Sequence, residues 1–160
     1  MKELVGIAEQ IAAKLIARKQ TIAVAESSTG GLISAALLAV SGASAYFQGS
    51  AVVYTRDARR ILMDIPDDAM RGIRSASEAY ARLLASQIRT RFSTDWGLSE
   101  TGAAGPTGNR YGDAAGHSCM AVVGTETSAI TLETGSSDRL ANMHTFASAA
   151  LNLLLKEVSR

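Results

Sequence analysis

Three observations predict an α/β fold, a three-layer α/β/α sandwich on a mixed sheet: helix-period stripes, short strand-like runs between them, and a closing pair of strands joined by a short turn. Leu4, Ile7, Ala8, Ile11 and Leu15 recur at helical spacing, with Glu3, Gln10, Lys14 and Arg18 largely on the other side, so the first helix covers about residues 3–19. The apolar run 21–25 reads as a short buried strand. A second helix is expected over about 30–40, closed by Ser41-Gly42 as a glycine stop. Residues 45–54 carry Tyr46, Phe47, Val52, Val53 and Tyr54, which favour strand. Thr55 can cap a short helix with Arg56, Asp57, Arg59 and Arg60 on its exposed turns. After a turn-rich stretch at 66–72, Ser75 and Glu78 have capping-box spacing, and Ala79, Leu83, Leu84 and Ile88 continue as a helical stripe to about Arg91. A strand over 95–100 follows. The five glycines and one proline between Gly102 and Gly116 then exclude regular structure. Strands over 117–124 and 129–134 and a helix from about Ser137 finish the chain.

The 160 residues suffice for one core, so a single domain over 1–160 is expected, with no internal repeat. A formal net charge of +1, from 16 basic and 15 acidic residues, supplies no field that would gather nucleic acid or an anionic membrane. Basic and aromatic residues are not interleaved as a nucleic-acid surface would need. Cys119 is the one cysteine, which rules out an internal disulfide and points to a reducing cytoplasm. Its strand-like neighbours make it a packed thiol. The first residues form an amphipathic pattern and not a signal peptide. The uncharged run 27–55 is long enough to cross a bilayer, but its glycine and serine interruptions argue for a buried helix and strand instead. His117 and His144 lie far apart and outside any close ligand spacing, so no metal and no cofactor is expected. The apolar strand around Tyr46 and Phe47 suits a homo-oligomer, a homodimer first of all.

The stretch around which the rest is arranged is Ala25-Glu26-Ser27-Ser28-Thr29-Gly30-Gly31. It places hydroxyls and flexible backbone between a strand and a helix, where the first helical N–H groups lack intrahelical partners and suit an anion or a developing oxyanion. Gly30 and Gly31 allow close approach to the main chain, and any of Ser27, Ser28 and Thr29 could attack a ligand or hold it. Glu26 stands alone, since no charged residue follows it before Arg56, and an orienting role is expected for it. The competing reading is a capped helix after a glycine turn. The loop from Gly102 to Gly116, with Gly105, Arg110 and Tyr111, is the other segment placed to touch a ligand.

These residues, with Gly42-Ala43-Ser44-Ala45-Tyr46-Phe47, Val53-Tyr54, Ser77-Glu78 and Thr101-Gly102-Ala103-Ala104-Gly105-Pro106, resemble in order the C-terminal domain of CinA, the competence and damage-inducible protein. Free-standing versions of that domain are nicotinamide mononucleotide amidohydrolases. The resemblance implies an α/β/α fold and hydrolysis of a pyridine mononucleotide carboxamide to the acid and ammonia. It places the nucleophile on Ser27, an assisting tyrosine on Tyr54, and the family lysine on Arg59, where the family's Tyr-Ser-Asn-Glu-Ala-Lys reads Tyr54-Thr55-Arg56-Asp57-Ala58-Arg59. Guanidinium stays charged and has no acceptor lone pair, so Arg59 cannot serve as a base; Tyr54 and Glu26 are the poor substitutes at hand. The oxyanion would fall to N–H groups near Thr29, Gly30 and Gly31, and the phosphate to Arg139 or Arg110. The family's Gly-Pro-x-Gly-Gly is Gly105-Pro106-Thr107-Gly108-Asn109 here, its Lys-Pro-x-Gly is Asp113-Ala114-Ala115-Gly116, and an arginine usual four residues after Arg139 is Met143. Two functions follow: an amidohydrolase with a rebuilt site, or a nucleotide-binding paralogue that has lost hydrolysis.

Overall fold

The structure, a computed structural model, describes residues Met1 to Arg160. Five helices and five strands follow one another as α1 (Lys2–Arg18), β1 (Ile22–Glu26), α2 (Leu32–Leu38), β2 (Phe47–Val52), α3 (Arg56–Met63), α4 (Glu78–Phe92), β3 (Trp96–Ala103), β4 (His117–Val123), β5 (Thr127–Glu133) and α5 (Arg139–Val158). The sheet order is β2-β1-β3-β4-β5. β1 lies parallel to both β2 and β3, while β4 and β5 run antiparallel to their neighbours. The mixed sheet expected from the sequence is therefore present.

The period-2 geometry of β1 divides the core. Ile22 and Val24 face a cluster with Leu4, Ile11 and Leu15 of α1, Ile33 and Leu37 of α2, and Phe146 and Leu154 of α5. Ala23 and Ala25 face the opposite cluster, with Met63 of α3 and Tyr80, Leu84 and Ile88 of α4. Helices thus cover both faces. Burying each of these large aliphatic side chains contributes roughly 1.5–3 kcal/mol before entropy is charged against it.

β2 and β3 lie on opposite sides of β1, and the connections reaching them cover opposite faces of the sheet, α2 on one and α3 and α4 on the other, so the carboxyl ends of β1 and β3 flank a switch point where such sheets hold ligands. Several sequence-based boundaries shift. α2 starts at Leu32, not near residue 30, because the side chain of Glu26 draws the preceding turn inward. The strand expected over 45–54 narrows to Phe47–Val52, because Ala45 ends a 3₁₀ turn over Ala43–Ala45 with Tyr46 buried behind it. Ser77, not Ser75, caps α4, accepting from the Tyr80 N–H. Asp138 caps α5, which begins at Arg139.

Candidate functional site

Two buried carboxylates fix the loop after β1. Glu26, the last residue of that strand, is 0% exposed. Its oxygens accept from the N–H groups of Gly31 (2.8 Å), Ile33 (3.2 Å) and Ser34 (3.0 Å), and from the hydroxyls of Thr29 (2.7 Å) and Ser34 (2.5 Å). The anion that a ligand was expected to bring to the α2 N-terminus is supplied by the chain itself, as the Glu26 carboxylate. Glu26 does not stand at the mouth of a pocket, and the Gly31 N–H cannot hold an oxyanion.

Glu100 of β3, also 0% exposed, holds the other side of the loop. It accepts from the N–H groups of Ser27 (3.1 Å) and Thr29 (3.0 Å), from Thr29 Oγ1 (3.1 Å), from Ser118 Oγ (2.9 Å) and from Ser28 Oγ. Burial raises its pKa, and the bonds from Ser28, Thr29, Ser118 and Ser27 only partly offset that. Sequence reasoning missed Glu100. The available signal was a single carboxylate in a strand, with no other charged residue between Asp95 and Arg110.

These bonds settle which hydroxyl faces outward. Ser28 and Thr29 are buried and turned onto the carboxylates, whereas Ser27 lines a cleft at the switch point and its hydroxyl makes no hydrogen bond within the chain. The Thr29 and Gly30 amides are also taken, by Glu100 and by the Ser27 carbonyl (3.1 Å). Of the amides from 27 to 34, the Ser28 N–H alone makes no hydrogen bond within the chain. Backbone donation near Thr29, Gly30 and Gly31 therefore reduces to Ser28.

The cleft has a volume of about 460 Å³. Ser27, Tyr54, Thr101 and Gly102 border it together with Arg56, Arg59, Arg74 and Arg110, and no carboxylate is among its lining residues. Two of the four guanidinium groups are neutralised from behind. Arg59, 7% exposed, binds Asp67 and donates from Nε to the Ile65 carbonyl (3.3 Å). Arg74 forms a forked pair with Asp113 (2.5 and 3.1 Å), which holds the Asp113 carboxyl below the usual range. Arg56 and Arg110 have no carboxylate partner, and they give the cleft its uncompensated positive charge.

Other expected site residues sit differently. Tyr54 is 60% exposed at the rim, where its hydroxyl accepts from Arg139 Nη2 (3.1 Å). Arg139 also donates to the Gly105 carbonyl (2.5 Å). Neither Arg139 nor Gly105 lines the cleft, so Arg139 joins two loops instead of meeting a phosphate there. Tyr111 does line it, but its ring is already engaged by the guanidinium carbons of Arg110 (5.1 Å) and Arg74 (5.6 Å). Tyr80 is both core and cleft wall.

The wall beside Thr101 is built on an unusual backbone. Ala76 has φ 53°, a left-handed conformation costing an L-residue about 1 kcal/mol or more. Its N–H donates to Thr101 Oγ1 (3.2 Å) and its carbonyl accepts from His117 Nε2 (2.7 Å), while His117 Nδ1 faces Glu133 Oε1 (2.5 Å). Facing two acceptors, the ring uses both N–H groups. Burial lowers the His117 pKa, but Glu133, the Ala76 carbonyl and Asp113 outweigh it and raise the value above 6.5. Stability from this imidazolium is full below the unfolded pKa and is lost as pH rises through the raised folded one. Glu133→Gln is expected to lower the His117 titration in an NMR pH series. An unmoved midpoint would remove Glu133 as a controlling partner.

Relatives of the chain carry the same architecture. A sequence profile of the CinA C-terminal domain matches residues 5–158. The chain belongs to the CinA C-terminal domain family. A CinA-like protein of Gloeobacter violaceus is 36% identical over 156 residues, covering 95% of this chain and 36% of the relative. A CinA-like protein of Salinibacter ruber is 39% identical over 137 residues, covering 86% and 33%. This CinA C-terminal domain thus spans about a third of the length of these curated relatives. The competence damage-inducible protein A of Klebsiella pneumoniae subsp. pneumoniae superposes with a TM-score of 0.91 at 25% identity, with 98% of each chain covered. A CinA superfamily protein of Klebsiella pneumoniae 700603 superposes with a TM-score of 0.90 at 24% identity, again over 98% of each, and shares the fold.

Proposed function

We propose that this CinA C-terminal domain binds a pyridine mononucleotide in the arginine-lined cleft and hydrolyses its carboxamide through Ser27. The observation that carries the reading is the pairing of one outward, unbonded serine hydroxyl with two guanidinium groups that lack carboxylate partners, in a cleft of ligand size. Arg56 and Arg110 would hold the phosphate. That places the carboxamide toward Ser27, whose attack would raise negative charge on the carbonyl oxygen beside the free Ser28 N–H. One such donor is typically worth a hundredfold or more in rate. The Ser27 backbone is preset for this by Glu100, so the hydroxyl needs no loop rearrangement to attack.

A second reading has its own support. Arg59 occupies the family's lysine position and is tied to Asp67 and the Ile65 carbonyl, a structural role that leaves it no part in proton transfer and favours a nucleotide-binding paralogue. Incubation with nicotinamide mononucleotide separates the two. Hydrolysis is expected to release ammonia slowly, and Ser27→Ala should reduce it by about a thousandfold or more. Stabilisation by the mononucleotide in a thermal-shift assay without ammonia release would decide for the paralogue, and neither effect would remove both readings.

A further inference from the structure

Almost every hydroxyl that lines the cleft is already engaged within the chain. Tyr54 accepts from Arg139, Thr55 from the Ala58 N–H, Thr101 from the Ala76 N–H and Tyr111 from Arg110, with Ser75 turned onto Tyr111 as well. The Asn109 side-chain oxygen accepts from the N–H groups of Tyr111 and Asp113. Two lining hydroxyls are left with no hydrogen bond inside the chain, those of Ser27 and Tyr80. Ser27 is the nucleophile of the reading above, and Tyr80 has no part in it.

Tyr80, in the first turn of α4, is 5% exposed. A phenol buried to that degree ordinarily gives its O–H to a neighbour, as Tyr46 does here by donating to the Leu37 carbonyl. Tyr80 Oη bonds nothing. The one side-chain nitrogen or oxygen sealed inside the protein without a partner is Glu157 Oε1, so Tyr80 Oη is open to solvent, and the opening its residue borders is the cleft. Arg59 and Tyr111, two other lining residues, act on the phenol electrostatically. Burial raises its pKa, which keeps it a neutral hydroxyl able both to donate and to accept. The wall around it is apolar. Tyr80 shares a core cluster with Val53, Met70 and Ile73, which also line the cleft, and with Ala25, two residues before Ser27.

Resting on the ligand placement given above, we propose that Tyr80 is a specificity-determining residue: the ligand's ring lies on the wall of Val53, Met70 and Ile73, and the Tyr80 hydroxyl bonds the polar substituent of that ring. Arg56 and Arg110 hold the phosphate at the other end. An apolar wall alone barely distinguishes a bare ring from a substituted one. A hydroxyl without a partner in that wall does, because a bare ring would strip it of water and return no hydrogen bond. In a pyridine mononucleotide the substituent is the carboxamide. A nucleophile approaches a carboxamide perpendicular to its plane, whereas the NH₂ donates within the plane, so Ser27 cannot serve as both attacker and acceptor. Tyr80 is the other uncommitted hydroxyl. The ligand class selected is therefore an aromatic ring carrying a hydrogen-bonding group, joined to a phosphate.

Tyr80→Phe tests this. Phenylalanine keeps the ring in the core and removes an oxygen that holds nothing in the chain, so the melting temperature without ligand should equal or exceed that of the unaltered protein. Isothermal titration with nicotinamide mononucleotide should show the affinity lowered about tenfold or more, since the polar group then meets a hydrocarbon edge. Where the unaltered chain releases ammonia, kcat/KM should fall with it. A lowered melting temperature would show that the hydroxyl is committed within the fold. Unchanged or raised affinity at unchanged stability would show that the ligand does not reach it. Either result overturns the role of Tyr80 and leaves the mononucleotide site standing. Binding that depends on Tyr80 without ammonia release would keep Tyr80 as the ligand contact and refute hydrolysis alone. No binding of the mononucleotide by the unaltered chain would overturn the placement and Tyr80 together.

Discussion

Glu26→Gln is expected to destabilise the fold by about 3 kcal/mol or more, while Glu100→Gln at the same pH costs less than about 1 kcal/mol. Both glutamates are fully buried and both receive hydrogen bonds on each oxygen, so the contrast tests the bonding and not the burial. At Glu26, each oxygen accepts a backbone N–H: Gly31 and Ile33 on Oε1, Ser34 on Oε2. An amide NH₂ placed on either side must therefore confront an N–H donor with no way to turn. At Glu100, only Oε2 receives backbone N–H groups, those of Ser27 and Thr29. Oε1 meets the hydroxyls of Ser28 and Ser118, and a hydroxyl can accept from NH₂ as readily as donate to a carboxylate. The Ser118 proton has a second acceptor waiting in the Thr101 carbonyl (3.2 Å). Urea unfolding of the two variants at neutral pH reads the difference. Equal losses would show that the loop is held by charge and not by donor placement.

The pH dependence supplies a second mark of the same site. With its folded pKa raised, Glu100 binds more protons in the folded chain than in the unfolded one. Its contribution is full below the unfolded value near 4.5 and is lost as pH rises through the folded one, so stability falls with pH over that window. The neutral glutamine has no such term, and Glu100→Gln should flatten this part of the stability profile.

What the sequence disclosed, and what it hid, follows from the range of the interactions involved. The order of helices and strands was legible because it rests on local periodicity: Leu4, Ile11 and Leu15 lie in the core as their spacing required. The hydroxyl and glycine loop was legible as a site because a strand-to-helix junction needs such residues, and Ser27 indeed lines the cleft. Its internal wiring was not. Glu26 reads as an isolated charge only while the chain is one-dimensional; folded, it meets amides five to eight residues ahead. Glu100 reaches the loop across more than seventy residues, a pairing no periodicity encodes. Likewise the role of Arg59 depends on Asp67 and on the turn at Ile65, and the cationic setting of Tyr111 depends on Arg74 arriving from another segment.

Gly97→Ala is expected to lower stability by about 3 kcal/mol or more, the upper range for overpacking, although the change adds one methyl group to a strand. Gly97 lies in β3 directly beneath α4, and a Cβ built on it would stand 2.1 Å from the Ala85 carbonyl oxygen and 2.8 Å from Arg89 Cβ. Carbonyl oxygen belongs to helix backbone and cannot swing aside as a side chain would. Relief requires lifting α4 from the sheet. That helix is seated unusually close because its sheet-facing residues are small, Ala81 and Ala85 against Ala121 and Cys119, and because Ser99 Oγ donates to the Ala81 carbonyl (2.5 Å). Raising it would also strip the cover from Ala23 and Ala25 of β1, which the same helix packs through Leu84 and Ile88. Two residues beyond Ser99 begin Thr101 and Gly102 at the cleft, so the damage should reach the site: calorimetry is expected to show the lowered melting temperature, and incubation with nicotinamide mononucleotide a lowered rate of ammonia release. A variant melting with the unaltered chain would mean that α4 has room to move and that its close seating does not hold the site in place.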